Sequence, residues 1–512
     1  MSTPIENCAR RASLVGALCA VLVLSACANL KPSPLEEGEI RAIAAADRQR
    51  AQQDVEPLHG PLTLDEAIAR ALKYNLTGRT RLMEEAVAQA QLDVGRYDLL
   101  PKLMASAGYR DRDKDLITRS TDSVTGQPSL AHPFISSDRS ALTTDVSFVW
   151  SLLDFGQSYY AARQSADRAL VAAEQRRRAV HTLIQDVRTG FWRTVGAQKL
   201  RAGVQAAITA AEDALGDSRK AEAERLRNPV EALRYQRQVL ENLRLLEAIE
   251  QELAGAQIEL STLINLPPGT AITVVEPPPS AAEGWQRMPV ENLEAQAIGH
   301  NAELRAALYN ARIASLETRR AMLKLFPGLS FSYSVKSSND SYLIYQHWTE
   351  AGAQLSFNLL GLLAVPAQKR LADAGIALAE QQRMATQMAL LAQVHLARLQ
   401  YSHALRQFER SDTIWKVDHQ LAEHSARREQ AQTQTKLDRV GTQTAAILSE
   451  LRRYQSLAQL HTAMGKLQAT LGLEPEMQAN QSMPLAELTR AVSVSLQQWN
   501  EARLPGPKGK RE

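Results

Sequence analysis

Few side chains in this sequence stand at spacings that could make or break a bond. Among its ten histidines, His395 and His403 are eight apart and His419 and His424 five apart. Neither pair has the i, i+4 spacing with an intervening carboxylate that seats zinc on one helix face. The sequence has no G-x-x-x-x-G-K-[ST] phosphate loop, no G-x-S-x-G nucleophile elbow and no G-x-G-x-x-G dinucleotide turn. No enzyme is expected, and no cofactor or metal centre. The one side chain placed for chemistry is a thiol. Cys8, Cys19 and Cys27 are the only cysteines, which excludes a disulfide framework in the body of the chain. Arg10 and Arg11 precede an uncharged, mostly apolar run from Ala12 to Leu24, and Leu24-Ser25-Ala26 leads into Cys27. That run has the length of an export-signal core and is too short to span a bilayer. Small residues ahead of a cysteine resemble the bacterial lipobox, whose cysteine is acylated, palmitate included, and becomes the first residue of the mature chain. Residues 1–26 are therefore expected to be a signal peptide and Cys27 a lipidation site. A plain secretory signal beside an incidental thiol is the alternative. Ala28 rather than an aspartate follows, so nothing resembles the inner-membrane retention signal.

The body of the chain must then be something an exported, anchored protein can use. Its 512 residues allow roughly three domains. Hydrophobic residues at 45% and charged residues at 22% describe a folded chain. A net charge of +3 and a pI of 8.6 are too balanced for a nucleic-acid stripe. No run of about 18 apolar residues follows the signal, so any membrane crossing must be made by strands.

The chain repeats itself. Leu99-Leu100-Pro101 aligns with Leu325-Phe326-Pro327 at an offset of 226, which also pairs Asn75 with Asn301 and Arg79 with Arg305. Trp150-Ser151-Leu152-Leu153 aligns with Phe357-Asn358-Leu359-Leu360 at 207, and the same offset pairs Leu183 with Leu390, Val187 with Val394, and Ile264-Asn265-Leu266 with Leu471-Gly472-Leu473. The 19-residue difference falls between Pro101 and Trp150, where Arg110 to Ser140 is rich in Ser, Thr, Asp and Gly.

Each copy reads helix, strand, strand, helix, helix. In the second copy Leu329, Phe331, Tyr333 and Val335 alternate with polar neighbours, and so do Ala351, Ala353, Leu355, Phe357 and Leu359. In the first, Leu142, Val146, Phe148, Trp150 and Leu152 do the same. Period two gives one apolar and one polar face. A half-buried antiparallel sheet over a soluble core fits that pattern, and so does a barrel wall that is apolar toward lipid and polar toward a lumen. The export signal, and aromatics at strand ends (Trp150, Phe155, Tyr333, Tyr342, Tyr345, Trp348), favour the barrel. Four strands per chain cannot close a pore, because about eight are the minimum; a symmetric ring of subunits is implied. Gln157 to about Ala223, and Pro366 to about Gln430, lack strong breakers. At about 1.5 Å per residue these are rods of roughly 100 Å, which need lateral partners. Val239, Leu243, Leu246, Ile249, Leu253, Ala256, Leu260 and Leu263 mark the seam of a returning helix. The expected division is a lipid-anchored extension over 27–60, repeats over 61–266 and 290–475, a Pro-rich connector over 267–289, and a C-terminal helix with a disordered tail over 476–512.

Thr63-Leu64-Asp65-Glu66-Ala67, Asn75, Leu100-Pro101 and Leu153-Asp154-Phe155-Gly156 together resemble the opening half of the TolC-like outer-membrane efflux family, and the second half repeats the pattern more loosely. The resemblance covers nearly all of residues 61–475. It implies a mainly α fold with a transmembrane β part: a homotrimer whose twelve-stranded barrel in the outer membrane continues as an α-helical coiled-coil tunnel through the periplasm. Such a protein is an exit duct, passively conducting substrates received from a periplasmic adaptor and an inner-membrane transporter. The resemblance further implies that the hairpin tips, near Asn228 and Pro229 and near Lys436 and Leu437, contact the adaptor. Asp438, with Glu231 in register, would line the closed tip. Gly441, Arg225, Arg227, Arg427 and Arg428 depart from the family pattern there. The competing expectations are type I protein secretion and a lipid-anchored coiled-coil scaffold that does not conduct.

Overall fold

The computed structural model describes residues 33–128, 133–224, 229–277, 284–431, 433, 436–475 and 483–504. The expected signal peptide, Cys27, Asn228 and the C-terminal tail lie outside them. The chain forms two compact units, Met1–Val55 and Glu56–Glu512. In the first, helix α1 (Glu37–Gln52) starts at a capping box between Glu36 and Glu39 and buries none of its residues.

The second unit is the repeat. Helices α2 (Leu64–Tyr74) and α3 (Leu76–Tyr97) lead into β1 (Lys102–Arg110); β4 (Ala141–Ser151) runs into α4 (Leu152–Ala223), and α5 (Pro229–Leu263) returns. The second copy gives α7 (Val290–His300), α8 (Ala302–Leu323), β5 (Gly328–Ser338), β6 (His347–Ser356), a 3₁₀ turn (Leu359–Ala364), α9 (Val365–Gln430) and α10 (Lys436–Thr470). The surplus loop of the first copy carries a small antiparallel ribbon, β2 (Ile117–Thr118) with β3 (Phe134–Ile135). The long helices span 72 and 66 residues. Ser151 caps α4 through the Asp154 N–H, and the matching Asn358 caps the 3₁₀ turn through Gly361. Each cap stops the strand, because its side chain satisfies an N–H that a further ladder pair would otherwise take. Phe357 and Leu359, expected to continue the last strand, therefore lie beyond its end at Ser356. The pre-strand helix of each copy is two helices sharing one cap residue, Asn75 or Asn301.

The seam of α5 is buried from Val239 through Leu260, with Leu263 half-exposed and Ile264 buried in its place. The described parts of the connector are docked on the body of the chain. Leu62 pairs in parallel with Val274, donating to Thr273 O at 2.7 Å and accepting from Val275 at 2.9 Å. The Gln198 amide brackets Val274 on both sides. The short helix α6 (Gly284–Arg287) buries Trp285, whose indole N–H donates to Trp499 O. Trp499 lies on α11 (Leu485–Asn500), an amphipathic helix that packs on α2. Buried Arg70 holds the segment ahead of α2 by donating to the carbonyls of Glu56 and Pro57, and it also donates to Glu66.

Candidate functional site

The four-stranded antiparallel sheet runs β1-β4-β5-β6, so a strand of each copy meets at its centre and β1 and β6 are its edges. Register sorts its two faces. Leu103 lies opposite Phe148, Phe148 opposite Tyr333 and Tyr333 opposite Ala351; Val146 sits between Ala105 and Val335. On this face Leu103, Tyr109, Leu142, Val146, Phe148, Phe331, Tyr333, Val335 and Leu355 are all exposed. The other face carries Ser106, Asp145 and Lys336 in one row, Met104, Ser147, Ser334 and Glu350 in the next, and Ser151, Ser330 and Gln354 further down. Lys336 pairs with Glu350 at 2.5 Å, and the Trp348 indole donates to the same carboxylate. An apolar face of that size turned away from the protein is too costly to leave in water and marks a contact with lipid or protein.

The aromatic residues do not all stand at the strand ends expected for them. Trp150 packs against Phe155 and Phe331 where strand hands over to helix. Tyr333 is mid-strand, and Trp348 lies in the row of Lys336 on the polar face. Strand alternation fixed which side each ring takes, while its height depended on where the strands end.

At the other end of the long helices, Glu231 and Asp438 occupy the first turns of α5 and α10, both exposed. A carboxylate there is stabilised by the N-terminal end of the helix dipole. Pro229 opens α5 and Lys436 and Leu437 open α10, the side chains of the latter two lying outside the described residues. Val440, two residues on from Asp438, is buried against Ala211, Ala214, Leu215, Val239 and Leu243, so the start of α10 is anchored on the first copy's hairpin. Within the first hairpin Gln236 of α5 donates to Glu222 of α4 at 2.6 Å, and within the second Arg439 of α10 pairs with Glu429 of α9 at 3.2 Å.

Midway lies a polar interior that the sequence pattern did not single out. Arg188 is fully buried on α4 and donates to Gln468 Oε1 at 2.6 Å. Burial pulls its guanidinium down to about 10. His461 stacks on Trp192 with centroids 4.6 Å apart. Burial, then the nearby Arg188 charge, pushes its imidazole down to about 3. Burial likewise holds His181 at about 4, with Glu474 opposing and Arg177 assisting. Burial raises the Glu450 carboxyl. His395 bonds Glu294 at 2.8 Å and His419 faces Glu423. Among the described residues no group of three or more His, Cys, Asp or Glu side chains could hold a metal ion, and no helix is long and apolar enough to cross a membrane.

No protein-family model and no curated protein matches this sequence. Solved structures do. The CmeC outer membrane channel of Campylobacter jejuni superposes with a TM-score of 0.63 at 12% identity, over 84% of this chain and 89% of that one. The chain has the TolC-like channel fold. The outer-membrane channel OprN gives a TM-score of 0.58 at 16% identity, over 80% and 89% of the two chains. The open-state MtrE outer membrane channel of Neisseria gonorrhoeae gives 0.56 at 16%, over 79% and 90%. The two-faced sheet and the α4–α5 and α9–α10 hairpins are the strand part and the long-helix part of that fold.

Proposed function

We propose that this protein is a trimeric outer-membrane exit duct, lipid-anchored through Cys27, that passively conducts substrates handed to it by a periplasmic adaptor and an inner-membrane transporter. The sheet carries the reading. A conducting wall needs lipid-facing apolar side chains on one side and hydrated charge on the other, and Phe148, Tyr333 and Val335 against Asp145, Lys336 and Glu350 supply that contrast. A non-conducting coiled-coil scaffold has no use for an exposed apolar sheet. Glu231 and Asp438 are the proposed tip acids. Three copies of each around an axis repel one another, favour hydration, and select cations when the tip opens. Asn228, Pro229, Lys436 and Leu437 are the proposed adaptor contacts. The sequence carries no G-x-x-x-x-G-K-[ST] phosphate loop, and the proposed driving force is the transporter's.

Planar-bilayer conductance of the purified trimer tests this. Discrete steps are expected, and Asp438→Asn combined with Glu231→Gln should lower the cation-to-anion permeability ratio several-fold. A trimer of verified mass that carries no current even with both tip acids neutralised would overturn the duct. Steps whose ion selectivity is indifferent to both substitutions would remove the tip acids from the gate.

A further inference from the structure

A cleft of about 640 Å³ lies where α2 and α3 of the first copy meet α4, a size that suits a small molecule. Leu72 of α2, Leu82 of α3 and Leu183 of α4 give it apolar walls, to which Leu263 at the end of α5 and Leu488 of α11 add. Four cations also line it, Lys73, Arg81, Arg176 and Arg178, and Asp186 is the one carboxylate of the lining.

The second copy has the same cleft in reduced form. It measures about 280 Å³, and each of its lining residues is the repeat mate of a residue lining the first. At an offset of 226 Asn301 answers Asn75 and Glu303 answers Thr77; at 207 Leu390 answers Leu183 and Gln393 answers Asp186. The repeat fold therefore makes the cleft, at the joint where Asn75 or Asn301 caps the second pre-strand helix. It does not make the charge. The mates of Lys73, Arg81 and Arg178 are Gly299, Ala307 and Ala385. The smaller cleft is lined by one carboxylate, Glu303, by no cation, and by no residue of α11.

The cations of the first cleft are held in place by carboxylates outside its lining. Lys73 pairs with Glu56 at 3.1 Å, Arg81 with Glu84 at 2.7 Å, Arg176 with Glu85, and Arg178 with Glu303 at 3.9 Å. A guanidinium with one such acceptor still has N–H groups to give. Arg81 and Arg178 are 45% and 67% exposed at the side chain, and the pair of Arg178 is the longest of the four, so these two heads remain open to a further acceptor.

We infer that the first-copy cleft binds an anionic amphiphile: an apolar body against the leucine walls, with a phosphate or carboxylate head on Arg81 and Arg178. Apolar walls alone would take any greasy molecule, and the arginine forks select the anionic head, which they can grip with two parallel hydrogen bonds. The site goes beyond the duct reading and uses no residue of the two-faced sheet.

Fluorescence of dansylaminoundecanoate with the full-length protein held in a non-ionic amphipol tests this. The probe should brighten on binding. Dodecyl phosphate or dodecanoate should displace it, whereas dodecanol and dodecyltrimethylammonium at the same concentration should not. Arg81→Ala with Arg178→Ala should weaken binding roughly tenfold or more, the worth of a lost charge-assisted hydrogen bond. Ala179→Trp, which fills the first cleft, should abolish binding, while Thr386→Trp at the repeat mate should leave it unchanged. Melting near that of the parent protein qualifies each variant. Stronger displacement by the phosphate assigns the site to a phospholipid-derived head and stronger displacement by the carboxylate to a fatty acid; either supports the site. Displacement by dodecanol as strong as by dodecyl phosphate would overturn it. So would indifference to the two arginines, equal loss in Thr386→Trp, or a probe that does not bind. Conductance is read separately, so the duct reading stands or falls on its own.

Discussion

The two copies make the same turn with different residues. Where α5 ends, Asn265 takes the left-handed conformation at φ 56, and Leu266 closes back on Ser261 O; where α10 ends, Gly472 does so at φ 70, and Leu473 closes on Gln468 O. Asn75 and Asn301 brace these ends from the next helix along. The difference lies in what presses on the turn. A side chain at Gly472 would meet the His300 carbonyl 2.3 Å from its Cβ, whereas the first copy carries Asn265 in the matching place. The second copy is thus the tighter of the two at this joint. Asn301 is also buried while Asn75 is half-exposed. A duplicated fold keeps its geometry through the backbone and lets packing at each copy choose the residue.

Exchanging the turn residues is the strongest way to break the comparison. Gly472→Asn should cost roughly 2–4 kcal/mol, combining overpacking with backbone displacement. Asn265→Gly should stay within about 1 kcal/mol. Thermal melting followed by helical circular dichroism reads both, and equal losses would mean the His300 contact is relieved without cost. The caps give a smaller contrast. Asn301→Ala should lose about 2 kcal/mol and Asn75→Ala about 1, since each removes a helix cap and only the buried one strands the carbonyl beyond it. The same melting series checks the order.

Acid response sharpens the comparison most finely. The repeat mates of His461 and His181 are Ala254 and Met388, which do not titrate. In the folded chain the two imidazoles resist protons until about pH 3 and about pH 4, while in the unfolded chain they accept them near 6.5. The unfolded state therefore binds more protons as pH falls below 6.5, and stability is lost through that window down to about pH 3. His461→Phe removes one of the two groups and should make melting temperature fall less steeply between pH 6 and 4. An unchanged slope would place the acid sensitivity elsewhere.

Much of this is legible in the sequence. Two constant offsets announced the duplication, and Asn75 with Asn301 stood in register before they were seen capping helices. The α5 seam was visible because a helix against a partner must repeat its apolar residues every three or four positions. The ends of elements were less legible. Phe357 and Leu359 continued the period-two pattern, yet the Asn358 cap claimed an N–H and closed the strand. Tyr333 read as a strand-end aromatic, yet it stands in the middle of β5, whereas Trp348 does stand at a strand end, on the polar face beside Lys336.

The sequence by itself determined the periodicities, the duplication and the caps, because these depend on neighbours a few residues away along the chain. Only the tertiary structure decided that β4 and β5 are adjacent, leaving β1 and β6 as edges, and that Arg188 reaches Gln468 across 280 positions. It also decided that the connector around Val274 is part of the packed interior. Such contacts join distant segments, and burial there is set by everything that packs around a residue, which no local pattern records.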